Sequence, residues 1–504
     1  MSIALLRNIN DASSAMSTSL SDRSDPPSAA SNNKPGAFLK SNIDVNLSNH
    51  YSSKVYTSSA PISGNVTITT KREVPFSAIQ ILLMGTTRTR IEGIGAAPHD
   101  VTHTFLKMNM PIPESTYPTP RTLETGHTYT IPFNFVIPRH LTINACNHEM
   151  LSSQVQDHHV LLPPSMGTNW AKDDMSPQMA RVEYAIKARV LRLDEPTGKH
   201  VRVMEAVQLL NVLPETAEEP PLNITAQDTL YTMAKTKNLR RNLLSSKLGR
   251  LTARAIQPSP AVLGPDGQHL VSAPTARVEL HFEPAGADVP PPRVTSASGK
   301  LTAHTYYSSG TISTFPNLGD FREQQFAADK RGVYATSVPL PALPTPATRW
   351  KQHLTSSARR DSGYSSNTEA SEDSSSSGLK ASLLSGAKSS APVYHTATVD
   401  IPLALPVGRK TLVPTFHSCI ASRVYTVALT LQIGAGGGGS GSTTVQLTVP
   451  LQIGVGGGAD ADRAGLPSFE AAVEEAEADE HLRPRVVGVP EEQYQGRSVL
   501  PGYA

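Results

Sequence analysis

His417 and Cys419 are the residues whose types and spacing come closest to catalytic chemistry. They lie in the passage Pro414–Tyr425, PTFHSCIASRVY, at the start of a strand-like run. Residues two apart on an extended segment face the same side, and an imidazole beside a thiol can activate it as a nucleophile. The adjoining Pro, Phe and Ile indicate packing instead, and no catalytic set forms around the pair. We therefore predict that the protein is not an enzyme and has no catalytic residues.

Metal ligation is the second chemistry that cysteines and histidines could support. Cys146 and Cys419 are the only cysteines of the chain, too few for a disulfide framework or an all-protein zinc site. They could pair with each other, although two buried free thiols are the preferred interpretation. His158 and His159 are adjacent, and adjacent residues of a strand face opposite ways, so they could not easily share a metal ion. The sequence therefore predicts no metal site and no cofactor.

A basic segment is the strongest local charge in a chain whose formal net charge is only +2. Its side chains could contact an anionic lipid headgroup or a phosphorylated or acidic tail of a bound protein. A solvated basic helix followed by a strand is the alternative interpretation. Nucleic-acid binding is not expected, because no aromatic residues are interleaved with the charges. The candidate contact residues are Lys235, Lys237, Arg240, Arg241, Lys247 and Arg250, and Arg254 follows them.

The motif LPGY near the C-terminus fits the [Leu/Pro]-Pro-x-Tyr pattern that WW domains bind. Proline favours the polyproline II conformation, so Leu500 and Pro501 would lose little entropy on docking in an aromatic groove. Tyr503 would fill a second pocket, where its hydroxyl finds a hydrogen bond. A chance match in a Pro-containing tail is the alternative interpretation. A weaker second motif, with Phe in place of Tyr, consists of Leu466, Pro467 and Phe469.

A serine-rich stretch over Ser356–Ser390 is the expected site of phosphorylation. Arg359 and Arg360 precede Ser362 in the pattern that basophilic kinases use, and the overlapping sequence DSGYSS has the form of a phosphodegron. Each phosphate would add about −1.5 to −2 charges to the stretch. Chance matches in a serine-rich loop are the alternative interpretation. The candidate phosphorylation sites are Ser362, Ser365 and Ser366.

The elements that position these residues are predicted to be short antiparallel strands. Apolar and polar residues alternate with period two between Pro, Gly and Asn breaks, as in VEYAIKARV from Val182 to Val190. One sizeable helix is expected, around Asp228–Gly249. The predicted strands are Gly64–Thr70, Ala78–Gly85, Thr102–Met108, Tyr129–Ile137, Val182–Leu193, Val201–Leu213, Leu251–Gln257, Arg277–Phe282, Val294–Tyr307, Val333–Leu340, Tyr394–Leu403, Val424–Ile433 and Thr443–Ile453.

The strands form two blocks, separated by the polar and stiff link Pro214–Pro221. Hydrophobic residues make up only 38% of the chain, and 41 Pro and 34 Gly are present, so part of it is expected to lack a core. No apolar run approaches the roughly 20 residues that cross a bilayer, and we expect a cytoplasmic protein. The predicted organisation is a disordered N-terminus 1–38, an N-domain 39–215, a C-domain 222–455 with a disordered insertion 352–392, and a disordered tail 456–504.

Six short sequence patterns follow one another along the two blocks, and their order can be compared with that of known families. They are Ser63–Val66, Ile79–Gly85, Thr130–Pro138, Val182–Arg192, Lys247–Leu251 and Pro414–Tyr425. In this order, over nearly all of residues 40–455, the chain resembles fungal arrestin-like proteins of the alpha-arrestin type. The resemblance implies an all-β protein with two tandem immunoglobulin-like arrestin β-sandwiches. The buried charged cluster of visual-type arrestins has no counterpart that the sequence identifies.

The resemblance also implies a function without catalysis. We expect a trafficking adaptor that binds the cytoplasmic tails of membrane transporters or receptors and recruits a WW-domain HECT-type ubiquitin ligase, so that its cargo is ubiquitinated and endocytosed. Such a protein would be cytoplasmic and recruited peripherally to the plasma membrane or endosomes, with anionic lipid as a further contact and no nucleic acid. The alternative is a structural scaffold in vesicle sorting, similar to the retromer arrestin-fold subunit, that recruits no ligase.

Overall fold

The computed structural model of the chain describes residues 42–93, 96–168, 170–216, 219–240, 247–319, 321, 331–341, 348–354, 393–434 and 442–456. We call residues 42–216 the first half and residues 219–456 the second half. The strands of the first half are β1 Asn42–Leu47, β2 Val55–Tyr56, β3 Pro61–Thr69, β4 Val74–Pro75, β5 Ala78–Gly93, β6 Ala96–Asn109, β7 Thr122–Leu123, β8 Thr128–Val136, β9 Ala180–Asp194 and β10 Lys199–Val212.

The second half is also built from strands. They are β11 Ala234–Arg240, β12 Lys247–Ile256, β13 Ala261–Leu263, β14 Leu270–Ser272, β15 Thr275–Pro284, β16 Arg293–Ser308, β17 Arg331–Pro339, β18 Lys351–Leu354, β19 Val393–Pro402, β20 Phe416–His417, β21 Ala421–Gly434, β22 Ser442–Leu451 and β23 Ile453–Val455. Helices are few in the described part of the chain: α1 over Ser153–His159 and two short 3-10 helices, Glu114–Thr116 and Ile143–Ala145.

The predicted all-β class is confirmed, and each predicted strand coincides with an observed one. The burial pattern of β3 shows why the alternating sequence pattern predicts strands. Ile62, Val66 and Ile68 point inward, and the polar residues between them are more exposed. Gly64 shares the inward side, where a Cβ would lie only 2.2 Å from the Asn46 carbonyl oxygen of β1. The side chain of any other residue would therefore push the two strands apart.

Neighbouring strands pair mostly in antiparallel fashion. In the first half the strand orders are β1-β3-β8, β2-β10-β9-β5-β6 and the two-stranded β4-β7. In the second half they are β11-β12-β15-β19-β18, β14-β13-β23 and β17-β16-β21-β20, with β22 paired to β21. The glycine-containing connection after Gly434 is a hairpin as predicted, because Gly434 pairs with Ser442.

Each half has its own hydrophobic core. In the first half, buried residues of β3 and β8 join those of β5 and β9, as Val66, Phe133, Ile81 and Tyr184 do. The core of the second half likewise combines β12 and β15 with β16, β21 and β22. Each core also takes in a few residues of the other half, which places a packed junction between them. The finer prediction of two tandem immunoglobulin-like sandwiches, with its domain bounds, stays a prediction.

Two expectations about local structure are wrong. The helix expected around Asp228–Gly249 is absent from the described residues, where Ala234–Arg240 is a strand that pairs along β12. The insertion expected at 352–392 begins too early, because Lys351–Leu354 is a strand paired with β19. In both places pairing with a neighbouring strand, which a local pattern does not contain, decides the structure.

The predicted disordered segments fall on residues 1–38, on most of the serine-rich insertion and on nearly all of the tail, which lie outside the described residues. Within the part of the chain that the structure describes, no helix has the length and apolar content needed to cross a membrane.

Candidate functional site at the junction of the two halves

Arg423 is the centre of the first polar contact between the halves. It lies in β21 of the second half and is completely buried. Its Nη1 donates to the carbonyl oxygen of Asp174 (3.2 Å) and to the hydroxyl of Tyr425 (3.4 Å). Its Nη2 donates to the carbonyl oxygen of Met175 (3.4 Å) and to Ser176 Oγ (2.7 Å). A buried cation is tolerated only with such partners, and here three of the four come from the other half.

The loop that supplies these oxygens is fixed by its own carboxylates. Asp173 Oδ1 accepts from the backbone N–H of Met175 (2.9 Å), and Asp174 Oδ1 accepts from that of Ser176 (3.1 Å). Met175 adopts a left-handed backbone conformation with φ of 60°, which is uncommon for a residue with a side chain. The strained turn directs successive carbonyl groups at Arg423, and the two aspartates add negative charge beside it.

The same loop is anchored in the second half by further contacts. The Met175 side chain is buried in the core of the second half. The backbone N–H of Thr411 donates to the Asp173 carbonyl (3.1 Å), and Lys410 forms an ion pair with the Asp173 carboxylate. The hydrogen bond from Lys410 is the main cause that lowers the pKa of Asp173. Lys172 Nζ reaches the Val407 carbonyl (3.0 Å), so apolar, backbone and ionic contacts all join here. We call this set of interactions the Arg423 contact.

The surroundings of Arg423 keep nearby groups in one protonation state. The Tyr425 hydroxyl donates to the Val413 carbonyl (2.7 Å), and burial raises the pKa of Tyr425. His304 contacts Thr426 Oγ1 at 3.0 Å, and burial, followed by the charge of Arg423, lowers the pKa of His304 to about 4. Neither group titrates near neutral pH, so the Arg423 contact is suited to holding the halves together rather than to acid–base catalysis.

A second contact between the halves involves α1. The Ser152 hydroxyl caps this helix by accepting from the Val155 N–H (3.4 Å). His158 packs edge-on against the rings of Phe315 and His417, and its Nδ1 lies 3.4 Å from a carboxylate oxygen of Glu219. The expectation that the histidines 158 and 159 lie on a strand is therefore wrong. The helix turns their rings to different neighbours, and His159 meets Cys146 rather than His417.

Cys146 and Cys419 are both free and buried, as the preferred interpretation of the sequence has it. They come from different halves and meet His148 and His159, with one ligating atom of each of the four residues within 4.8 Å of all the others. Burial, with Cys146 as the next cause, raises the pKa of Cys419 to about 12. A nucleophilic cysteine needs a lowered pKa, so the raised pKa of Cys419 does not favour its role as a nucleophile. We call Cys146, His148, His159 and Cys419 the Cys/His cluster.

A cavity of about 300 Å³ adjoins the junction on the side of the second half. Its wall includes the link residues Glu219 and Pro221 together with Tyr231, His417 and Tyr425. Asn317 Nδ2 donates to the Tyr231 hydroxyl at 2.9 Å within this wall. Prolines make up much of the remainder, and the cavity brings together none of the predicted binding residues.

The structure divides the predicted basic segment between two sides of a sheet. Lys235 and Lys237 pair in register with Ala253 and Leu251, which are buried, so these lysines lie on the core side of β11. They are nevertheless exposed, because β11 is the edge strand of its sheet.

The remaining basic residues lie elsewhere. Arg250 is on the opposite side of the sheet, where its Nε lies 3.4 Å from Glu283 on β15. Arg240 pairs with Lys247 at the end of the β11–β12 hairpin, and both are exposed. Arg241 is outside the described residues. The five of the six predicted residues that the structure describes therefore do not form one patch, and Arg240 and Lys247 at the hairpin end come nearest to a cluster.

The other predicted sites fall outside the described residues. These are the WW motif at Leu500, Pro501 and Tyr503, the weaker motif at Leu466, Pro467 and Phe469, and the phosphorylation sites Ser362, Ser365 and Ser366. The sequence matches no protein-family model, and no curated protein is significantly similar to it.

Proposed function

We propose that the protein is a non-enzymatic, arrestin-type adaptor, made of two tandem β-sandwiches that bind cytoplasmic tails of membrane transporters or receptors. It brings a WW-domain HECT-type ubiquitin ligase to this cargo, which is then ubiquitinated and endocytosed. The protein acts in the cytoplasm and is recruited to the plasma membrane or endosomes. The order of the sequence patterns is one support. The observation that carries the proposal is the junction of two β-rich halves around the buried Arg423 contact.

The Arg423 contact supports an adaptor because it is one of several local contacts that join two halves, each with a hydrophobic core of its own. Three of the partners of Arg423 belong to one loop of the first half. Cargo that prefers another arrangement of the halves could shift the population by competing with so localised a contact.

The edge strand β11 is the best candidate for the cargo surface. An extended peptide can add a strand to an exposed edge through backbone hydrogen bonds. Lys235 and Lys237 stand exposed on this edge, so an acidic or phosphorylated tail is favoured over a neutral or basic one. The same charges suit the headgroup of an anionic lipid, which makes the membrane surface a second ligand of the same chemistry.

Phosphorylation of the serine-rich insertion would act on this surface, and the position of the two strands that flank the insertion supports this. Leu354 pairs with Val393, so the insertion leaves the sheet from the hairpin of β18 and β19. The registers of β19 with β15, of β15 with β12 and of β12 with β11 align this end of the sheet with Gly249 and Leu239. The β11–β12 hairpin therefore lies at the same end of the sheet as the insertion's flanking residues. The two edge strands are four strand spacings, or about 19 Å, apart. Phosphates on Ser362, Ser365 or Ser366 would then weaken binding of acidic cargo by occupying Arg240 and Lys247.

The recruitment of the ligase rests on the LPGY motif and is tested by mutation of its tyrosine. The full chain is immobilised, and binding of an isolated WW domain from a HECT-type ligase is measured. We expect Tyr503→Ala to weaken binding about tenfold or more, because the tyrosine pocket is left unfilled. Tyr494→Ala is the matched control, since Tyr494 lies in the same tail without a preceding Leu-Pro pair.

Equal binding by the wild type and Tyr503→Ala would remove ligase recruitment through this motif. Deletion of residues 456–504 then separates adaptor from scaffold in cells. An adaptor loses ubiquitination of its cargo on this deletion, whereas a sorting scaffold leaves ubiquitination unchanged and stays bound to its coat complex.

A further inference from the structure

The Cys/His cluster gathers the residue types that bind zinc. Cys146 and His148 follow the short helix Ile143–Ala145, and His159 is the last residue of α1. Cys419 comes from the second half, between β20 and β21. Cys146, His148 and His159 lie near one another in the sequence. Cys419 joins them only because the folded junction brings the two halves together.

The distances fit a tetrahedral metal site. The ligating atoms of the four residues lie within 4.8 Å of one another, and Cys146 Sγ is 3.8 Å from His159 Nδ1. In a tetrahedral zinc site, bonds of about 2.0–2.3 Å place the ligand atoms roughly 3.3–3.8 Å apart. Small side-chain rotations would bring the four atoms to these separations. Two thiolates and two imidazoles make a closed set of the structural type, with no position left for a substrate.

The histidine nitrogens provide an independent indication. His148 Nε2 is buried and has no hydrogen-bond partner among the described residues, and His159 Nδ1 has only a long contact with Cys146 Sγ. Burial of a polar nitrogen without a partner costs free energy, so such atoms call for an explanation. Coordination by His148 Nε2 would satisfy this atom, while its Nδ1–H donates toward the Glu149 carbonyl at 3.4 Å and orients the ring.

The surroundings are those of a buried structural site. Cys146, His159 and Cys419 are at most 5% exposed. His103 Nε2 lies 3.1 Å from the Ala145 carbonyl, so a second layer of contacts holds the segment that carries Cys146.

From this geometry we infer that Cys146, His148, His159 and Cys419 bind one Zn²⁺ ion that joins the two halves of the protein. Both thiols would lose their protons on binding, so each bound Zn²⁺ displaces two H⁺ and leaves a neutral site. The ion would connect residues far apart in the sequence, 146 and 419, and so restrict separation of the halves beside α1. The site would exist whether or not the chain serves as an adaptor.

Metal content of the full chain is the primary test. The protein is purified under reducing conditions and dialysed, and zinc is measured by mass spectrometry. We expect about one zinc ion per chain. Cys419→Ser and His159→Gln should lose it, whereas His158→Gln should retain it. His158 is the matched control, since it is the neighbouring histidine of the same helix but faces Phe315 and His417.

Because a ligand variant could fail to fold, a second measurement uses the wild type alone. Replacement of zinc by Co²⁺ should give the visible bands of a tetrahedral site and a sulfur-to-cobalt charge-transfer band in the near ultraviolet. A chelator should make both cysteines reactive to a thiol reagent and lower the melting temperature by about 5–10 °C, and added Zn²⁺ should reverse both effects.

Three results would each overturn the inference. The first is a reduced wild-type chain that takes up neither Zn²⁺ nor Co²⁺. The second is retention of one zinc ion by the Cys419→Ser variant. The third is a disulfide between Cys146 and Cys419 whose reduction yields two thiols without metal affinity.

Discussion

The Arg423 contact and the Cys/His cluster join the same two halves in different ways. Arg423 finds four oxygen partners within the chain, and only its Nε has none among the described residues. The Cys/His cluster instead brings together two thiols and two imidazoles whose Nε2 atoms have no partner in the described part of the chain. The guanidinium of Arg423 is held by oxygen atoms of the chain itself, whereas the cluster gathers the side-chain types that bind a metal ion. The junction therefore combines a contact made within the chain with one that, on our inference, depends on an ion.

The largest effect is expected from breaking the Arg423 contact. In an Arg423→Ala variant the carbonyl groups of Asp174 and Met175 would be buried without partners, and a cavity would remain. We expect a loss of about 3–5 kcal/mol from the free energy of unfolding. Hydrogen exchange should show the loss of stability first at residues 173–176. Hydrogen exchange is the suitable measurement because a chain with two cores does not unfold in a single two-state step.

An Arg423→Met variant separates packing from hydrogen bonding. Methionine fills much of the space of arginine but donates no hydrogen bonds, so we expect it to recover only part of the stability lost in Arg423→Ala. If Arg423→Met protects residues 173–176 as well as the wild type does, the contact depends on packing alone. The contrast with the Cys/His cluster would then lose its basis.

The sequence predicts the strands of this protein better than it predicts the candidate site. The strands were predictable because alternation with period two is local, and in β9 it coincides with burial of Val182, Tyr184 and Ile186. The basic strand β11 was missed because lysine, leucine and arginine also suit a helix. Its pairing with β12 is a tertiary fact that overrides the local preference.

The junction was less predictable, for two physical reasons. The partners of Arg423 are mainly backbone carbonyls, which every residue has, so its sequence position at the start of a strand does not reveal them. The Cys/His cluster joins positions 146 and 419, and no metal site was predicted because two cysteines are few and because His158 and His159 were expected on a strand, not on a helix. The spacing Cys146-x-His148 was the only local signal for it.

The pH dependence of stability tests the environment of Arg423, because the charge of Arg423 is one cause of the lowered pKa of His304. Burial first, and Arg423 second, lower the pKa of His304 from 6.5 to about 4. Between these values the unfolded state binds a proton that the native state does not, so stability falls as the pH decreases from 6.5 to 4. The contribution is about 3 kcal/mol in total.

A His304→Gln variant should show a flatter decline over the same pH range, because its side chain does not titrate. Other buried histidines act in the same direction, so the quantity to measure is the difference between the two profiles. Identical profiles would mean that His304 is not held neutral beside Arg423. In the Arg423→Met variant the decline should also be shallower, since one of the two causes of the shift is removed.

The smallest effect is expected at the rim of the Arg423 contact, from the ion pair of Lys410 with Asp173. The Asp173 side chain is 62% exposed and that of Lys410 is 28% exposed, so water screens their attraction. We expect Lys410→Met to cost less than about 1 kcal/mol, and less still at high salt. The variant should also raise the pKa of Asp173, because Lys410 is the main cause that lowers it, and NMR titration would measure this.

Arg277→Met is the control: it removes an exposed pair with Asp400 on the second-half sheet and should leave exchange at residues 173–176 unchanged. A Lys410→Met loss as large as that of Arg423→Ala would place the strength of the junction at its rim instead of at its buried cation.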